Sequence, residues 1–342
     1  MSRVTVHDLA AEAGVSLATV DRVLNRRPGV RQATIERVEA AMARIDYRRD
    51  LAAANLAKKR RYPICVILPD GDNPFMHALE AEAKAYQRHA EATRVETSIV
   101  KVPAFDGEHL AGALNAISPG EVIGVIAVAT DAPRVRVAID DLAARGVPVV
   151  TLVSDIPSSK RIHYAGIDNT AAGRTAGSLL GRFLGRTRGK VAVVVGSMQL
   201  RDHMERRFGF EQVVAGSYPH LELLPLIEGR DDGLLVAERL RPVLAATHDL
   251  VGIYSLAAGS EGIIVALQES GRAQDVAVVA HELTEPARRA LLDGTFDAII
   301  NQDAGHEVRS AVRVLKAHAD GLPIIPGQER IRIDILMRDN LP

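Results

Sequence analysis

The chain has 342 residues, 47% hydrophobic and 25% charged, with a formal net charge of −1 at pH 7. That is a globular composition over more length than one ordinary core uses, so two or three domains are expected. Residues 1–61 hold 13 Lys and Arg against 7 Asp and Glu, leaving 29 against 36 in the rest, which indicates a basic nucleic-acid-binding end on an acidic body. Cys65 is the only cysteine, which excludes an internal disulfide, and its apolar neighbours mark it as strand core rather than a redox centre. The N-terminus lacks the apolar run of a secretory signal, and no stretch approaches the roughly 18 apolar residues of a membrane span, so a cytoplasmic protein with no membrane partner is expected.

In chain order, Thr5 followed by Asp8 is a capping box opening a helix whose Leu9, Ala10 and Ala13 form an apolar face, and Gly14 stops it. Ser16 is an N-cap for a second helix, where Val20, Val23 and Leu24 recur at helical spacing and leave Leu17, Ala18, Asp21 and Arg22 on other faces. Ile35, Val38, Met42 and Ile45 space a third amphipathic helix, and Tyr47 can close the small core. Two short helices about a tight turn are the layout of a helix-turn-helix, whose second helix enters the DNA major groove. A helical hairpin with no such role can show the same turn; the third helix favours the DNA-binding reading.

The run VTVHDLAAEAGVSLATVDRVLN, followed at fixed spacing by Val30, Thr34, Val38, Ala41 and Tyr47, closely resembles the headpiece of the lactose-repressor (LacI) family of bacterial transcription regulators. Arg22 is then expected to read a guanine by bonding O6 and N7 together, worth about 1–3 kcal/mol against a wrong base. Leu17 and Ala18 would make apolar or steric contacts such as with a thymine methyl, and the resemblance implies that these two positions help set half-site preference. Thr5, Ser16, Thr19, Asn25, Thr34 and Tyr47 are placed for phosphate contacts, which position without specifying. Asp21 replaces a serine common in relatives, and its carboxylate should weaken affinity unless Arg22 or an amide neutralises it.

After Tyr47, Leu51, Ala54 and Leu56 can form a short helix before the charge run Lys58 to Arg61, which by itself also fits a solvated linker. The resemblance implies a hinge helix that orders on DNA, with Leu56 as a minor-groove wedge trading base unstacking, roughly a few kcal/mol per step, for a bent duplex. Arg49-Asp50 stands where many relatives have Pro-Asn, and Asp50 can serve as the N-cap.

From Pro63 onward, apolar runs at 64–69, 95–102, 122–129, 147–153, 190–196, 250–255, 275–281 and 297–302 alternate with helical patterns such as 75–90, 134–145, 171–184 and 259–271. Strands apolar throughout belong to parallel sheets covered on both faces. Ile64 to Phe75, VPVVTLVSD, GIDNTAAGRTAG and VAVVAHELT are similar to the periplasmic sugar-binding-protein fold that forms the body of the same family. The expected fold class is therefore α + α/β: a three-helix helix-turn-helix headpiece over 1–48, a hinge helix or linker over 49–61, and a two-lobed parallel α/β body over 62–342. The first lobe is expected at about 62–160 and 295–322, the second at about 161–294 and 323–342.

Ligands of open α/β sheets bind beyond the carboxyl ends of the strands. Asn73 and Phe75 lie in an Asn-Pro-Phe segment resembling the one whose amide bonds a sugar hydroxyl and whose ring stacks on the sugar; the same residues fit a helix start with Pro in its first turn. Other strand ends supply Thr130 and Asp131, Ser154 and Asp155, Ser255, His281 and Glu282, and Gln302 and Asp303, while Arg206 resembles the arginine that sugar-binding relatives direct into the cleft. Carboxylates, amides and an arginine suit a polyol, whose hydroxyls both donate and accept. The expected effector set is Asn73, Phe75, Asp131, Ser154, Asp155, Arg206, Ser255, Glu282 and Gln302. Val153-Ser154 replaces the Asp-Arg of several sugar-binding relatives and Ser255 a common asparagine, so the hydroxyl pattern read must differ from a ribose-type site.

With 4% aromatics and no Trp, a monosaccharide or polyol is expected rather than a stacked base. No phosphate loop, dinucleotide fingerprint, nucleophile elbow or Cys/His cluster is present, so no catalytic residue, metal or cofactor is expected. The whole reads as a sequence-specific transcription regulator, a repressor of a carbohydrate or polyol catabolic operon, controlled by an effector between the lobes. One head reads few base pairs, so a homodimer on a pseudopalindromic double-stranded operator is expected. The chain ends at Pro342 without a heptad-bearing tail of the kind that makes some relatives tetramers. A solute-binding protein for sugar uptake, or a regulator answering to a protein partner, are the other readings.

Overall fold

The computed structural model describes residues 4–25, 27–47 and 60–342; Leu56 and the expected hinge from 49 to 59 fall outside them. The chain divides into two units, residues 1–60 and 61–342.

The smaller unit holds α1 (Val6–Ala13), α2 (Leu17–Leu24) and α3 (Gln32–Arg44). The Thr5 hydroxyl accepts from the Asp8 N–H at 3.3 Å and the Asp8 carboxylate from the Thr5 N–H at 2.8 Å, closing the capping box at the start of α1. Gly14 ends that helix at φ 61°, and Ser16 accepts from the Thr19 N–H to start the next. Leu9, Ala10, Ala13, Val20, Val38 and Ala41 are buried together, with Val23, Met42, Ile45 and Tyr47 packed around them. Residues four apart on one helix face supply each wall, so sequence spacing becomes the core directly.

The larger unit has two sheets. The first runs β2-β1-β3-β4-β5, all parallel, from β1 (Tyr62–Asp70), β2 (Val95–Pro103), β3 (Gly124–Ala127), β4 (Val149–Leu152) and β5 (His163–Ala165). The second runs β12-β11-β10-β9-β6-β7 with β8 also on β6. Its members are β6 (Gly189–Val195), β7 (Leu221–Leu223), β8 (Ile227–Glu228), β9 (Leu250–Ser255), β10 (Ala277–His281), β11 (Ala298–Asn301) and β12 (Asp334–Leu336), and only β12 is antiparallel. Helices cover both faces of each sheet: α4 (Pro74–Arg88), α5 (Ala90–Thr93), α6 (Gly107–Asn115), α7 (Pro133–Ala144), α8 (Asn169–Leu184), α9 (Arg201–Ser217), α10 (Gly233–Ala246), α11 (Ser260–Glu269), α12 (Glu285–Asp293), α13 (Ala304–Asp320) and α14 (Pro326–Glu329). Each sheet therefore has an apolar cluster on either face, which is why its central strands carry no polar alternation.

The lobe boundaries differ from those expected. β5 pairs with β4, Thr151 beside Tyr164, so the first lobe runs to Ala165 rather than to about 160. β11 lies parallel beside β10 in the second sheet, so the chain crosses after Asn301, not near 295. Val308, Ala311, Val312 and Leu315 of α13 then pack on the first sheet. Glu329 still bonds Ser310 at 2.6 Å and Arg313 at 2.7 Å of that helix, and β12 joins the second sheet at Asp334, so the return falls between 329 and 334 rather than near 322. Apolar runs announce strands, but sheet membership is set by pairing between distant segments, which local pattern does not carry.

Candidate effector cleft and DNA-reading helix

The carboxyl ends of the two sheets face a cavity of about 680 Å³ with walls from both lobes. Asn73, Phe75 and Ser154 line it from the first lobe, and Arg206, Glu282 and Gln302 from the second. Asn73 is also the N-cap of α4, its Oδ1 accepting from the N–H groups of Phe75 and Met76 with Pro74 in the first turn. Capping fixes the amide's orientation, so Nδ2 points across the cleft and donates to Asp231 Oδ2 at 2.9 Å.

Arg206 reaches the cavity floor because α8 and α9 touch backbone to backbone. A Cβ on Gly173 would overlap the Arg206 carbonyl, and one on Gly209 the Thr170 carbonyl, so two glycines bring the start of α9 under the cleft. The guanidinium, 2% exposed, donates from Nε to Asn169 Oδ1 at 2.8 Å and from Nη1 to the Leu256 carbonyl at 3.0 Å. Asn169 is held in turn by donating to the Tyr164 hydroxyl at 3.0 Å. Nη2 lies 3.7 Å from Glu282 and has no hydrogen-bond partner in the protein.

Glu282 follows β10 at a left-handed φ of 65° and accepts from Gln302 Nε2 at 2.7 Å. Burial pushes its carboxyl up to about 7, with Arg206 and Gln302 pulling the other way. Glu282 Oε2, Gln302 Oε1, Ser154 Oγ, Asp202 Oδ1 and Asp231 Oδ1 are buried without protein partners, like Arg206 Nη2. An unmade buried hydrogen bond costs about 1–3 kcal/mol. Their convergence on one cavity from both lobes fits a solute with many hydroxyls, each able to donate and accept.

Three expected residues are not on these walls. Asp155 turns away to Arg161, whose Nη2 donates at 2.6 Å, and to the Thr151 hydroxyl at 2.6 Å. Asp131 faces Arg201 of α9 at 3.7 Å. Ser255 is fully buried, its hydroxyl 3.4 Å from the Ala257 carbonyl. Ser154 and Asp155 lie beyond β4, after Val153 at a left-handed φ of 63°, so the chain turns there and brings the serine, not the carboxylate, to the cleft. Asp202, His203 and Asp231 line the cavity and were not expected. Asp202 precedes Arg206 by four residues on one helix, so that spacing offered a signal; Asp231 sits in a loop that offered none.

In the head, Thr5, Ser16, Leu17, Ala18 and Arg22 are exposed, and Thr19, Asn25, Thr34 and Tyr47 half-buried. Asp21 accepts from Asn25 Nδ2 at 2.6 Å and pairs with Arg27 at 3.2 Å. An amide and a second arginine thus offset its charge, and among the described residues Arg22 has no ion-pair partner. No group of described His, Cys, Asp or Glu residues is arranged for a metal, and no described helix is long and apolar enough to cross a membrane.

Residues 5–50 match the family profile described as bacterial regulatory proteins, lacI family, and residues 64–323 the periplasmic binding protein domain. Catabolite control protein A of Priestia megaterium is 28% identical over 69% of this chain and 70% of its own length. The HTH-type transcriptional regulator DegA of Bacillus subtilis (strain 168) is 26% identical over 62% of this chain and 61% of its own. In structure, the glucose-galactose binding protein GanP of Geobacillus stearothermophilus superposes with a TM-score of 0.74 at 22% identity, covering 83% of this chain and 99% of that one. With an exposed α2 in a helix-turn-helix unit and a two-lobed body enclosing a polar cleft, the chain belongs to the lacI family of bacterial regulatory proteins, DNA-binding transcription regulators, and its body is a periplasmic-binding-protein domain.

Proposed function

We propose that the chain is a repressor of a carbohydrate or polyol catabolic operon, working in the cytoplasm as a homodimer on a pseudopalindromic operator and controlled by a monosaccharide or polyol held between its lobes. The observation that carries the effector half is the set of buried, unpartnered polar atoms that Ser154, Asp202, Arg206, Asp231, Glu282 and Gln302 bring to one cavity from two lobes. A relative named for catabolite control and a structural neighbour named for binding glucose and galactose support the same class. In the DNA half, residues 1–48 form the reading head with Arg22 on a guanine, Leu17 and Ala18 on neighbouring base edges, and Thr5, Ser16, Thr19, Asn25, Thr34 and Tyr47 toward phosphates; residues 49–61 form the hinge with Leu56 as wedge.

A ligand that bonds both lobes favours the arrangement in which both can reach it, and changes DNA affinity only through that differential binding. The exposed reading helix and the basic excess of residues 1–61 set this reading above a solute-binding protein for uptake. Fluorescence anisotropy on DNA upstream of the chain's own gene, across salt and with a panel of pentoses, hexoses and polyols, tests it. Tight, sequence-dependent binding that one compound alters is the expected result. Weak binding that only fades with salt and ignores every compound contradicts it.

A further inference from the structure

The loop Gly229-Arg230-Asp231-Asp232 joins β8 to α10 and is fixed at both ends. The Gly229 N–H bonds the Val195 carbonyl at 2.7 Å, the Arg230 N–H the Gly196 carbonyl at 2.9 Å, and the Asp232 N–H closes on the Gly229 carbonyl at 2.9 Å. Asp232 caps α10, accepting from the Leu234 and Leu235 N–H groups. Both central residues are left-handed, φ 50° at Arg230 and 59° at Asp231, where side-chain-bearing residues are uncommon and cluster at functional sites.

The carboxylate this turn presents is divided between two tasks. Oδ2 accepts from Asn73 of the opposite lobe at 2.9 Å. Oδ1 is buried without a protein partner in a residue that lines the cavity. Gly196 leaves the space it occupies, because a Cβ there would overlap Oδ1. Asp202, 4% exposed, Glu282 and Gln302 add three more unpartnered acceptor oxygens, against a free guanidinium nitrogen on Arg206 and the Ser154 hydroxyl.

We propose that Asp231 is a specificity-determining residue of the effector site: Oδ1 accepts an effector hydroxyl while Oδ2 holds Asn73, so one carboxylate reads the ligand and joins the lobes around it. The wall it completes with Asp202 favours uncharged polyhydroxyl compounds over their phosphate esters and acid forms, even with Arg230 and Arg241 on the same cavity lining. A hydroxyl satisfies an acceptor-rich wall by donating and still accepts from Arg206. A phosphate or carboxylate donates nothing and sets like charges side by side where water is excluded. This deepens, and rests on, the effector reading above.

The test is calorimetric titration of the full chain and its isosteric Asp231→Asn variant with D-ribose, D-galactose and xylitol, with the sugars' terminal phosphate esters, and with the corresponding sugar acids. Thermal melts confirm that the variant folds. The wild type is expected to bind at least one uncharged compound, its anionic counterparts at least tenfold more weakly. Asparagine has one acceptor oxygen to serve both Asn73 and the ligand, so the variant should lose at least tenfold on the uncharged compound and narrow the gap to the anionic ones. A variant with wild-type affinity and wild-type discrimination overturns the proposal alone, as does a wild type that takes an anionic form as tightly. If no compound binds the wild type, the effector reading and this proposal fall together.

Discussion

Arg206→Lys isolates what the guanidinium does. Nε and Nη1 are committed to Asn169 and the Leu256 carbonyl, and Nη2 alone is left for a ligand. A lysine keeps the charge but replaces a planar fork by one ammonium, which cannot serve the two internal acceptors and the effector in their present directions. If it stays with the protein acceptors, the effector loses a charge-assisted hydrogen bond worth about 1.5–3 kcal/mol, roughly a 10- to 150-fold rise in Kd. If it reaches for the effector, a buried carbonyl or amide oxygen is left unpaired, costing about 1–3 kcal/mol of stability. Calorimetric titration and a thermal melt on the same sample separate these routes. A folded variant with wild-type melting temperature and effector Kd within twofold of wild type would refute the reasoning, because neither route would have been taken.

Arg22→Ala should remove about 1–3 kcal/mol of preference at one base pair and leave the melting temperature unchanged, since the side chain is exposed; competition anisotropy with single-base operator variants checks it, and loss of folding counts against a groove-facing role. Leu56→Ala should weaken specific binding and reduce operator bending in a gel-phasing assay, and unchanged bending removes the wedge. Glu307 is fully buried with neither carboxyl oxygen bonded, and burial, then Glu282, holds its pKa well above the ordinary value against Arg206. Its carboxyl, like that of Glu282 at about 7, binds its proton more tightly folded than unfolded, so both subtract stability as pH rises above the unfolded carboxyl range. Glu307→Gln should therefore raise the melting temperature more at pH 8 than at pH 5, and equal shifts at both would contradict a buried neutral acid.

How far the sequence carried the account depended on whether a feature is local. The capping box of Thr5 and Asp8, the stop at Gly14 and the periodic Leu9, Val20 and Val38 are satisfied within a turn or two, so the head could be read residue by residue. The eight strands of four residues or more announced themselves by largely apolar runs, several unbroken, while β5, β7, β8 and β12, of three residues or fewer, did not. Asn73 and Arg206 were found through resemblance and strand-end position. Asp155 escapes such reading because the chain turns at the left-handed Val153 beyond β4, and Ser255 because alternation at the end of β9 is invisible until the register is fixed by a partner strand. Asp231 depends on a left-handed turn seated against Gly196 in another strand's end, a match between segments 35 residues apart in the numbering that no local pattern announces.

The central claim is that one chain couples a cleft ligand to an operator, and a closed thermodynamic cycle measures it directly. Operator Kd is taken by anisotropy with and without saturating effector, and effector Kd by calorimetry with and without saturating operator. The account predicts that the two ratios agree and correspond to a coupling of about 1–3 kcal/mol, roughly 5- to 150-fold. Ratios of one on both sides, with each ligand binding tightly by itself, would contradict it.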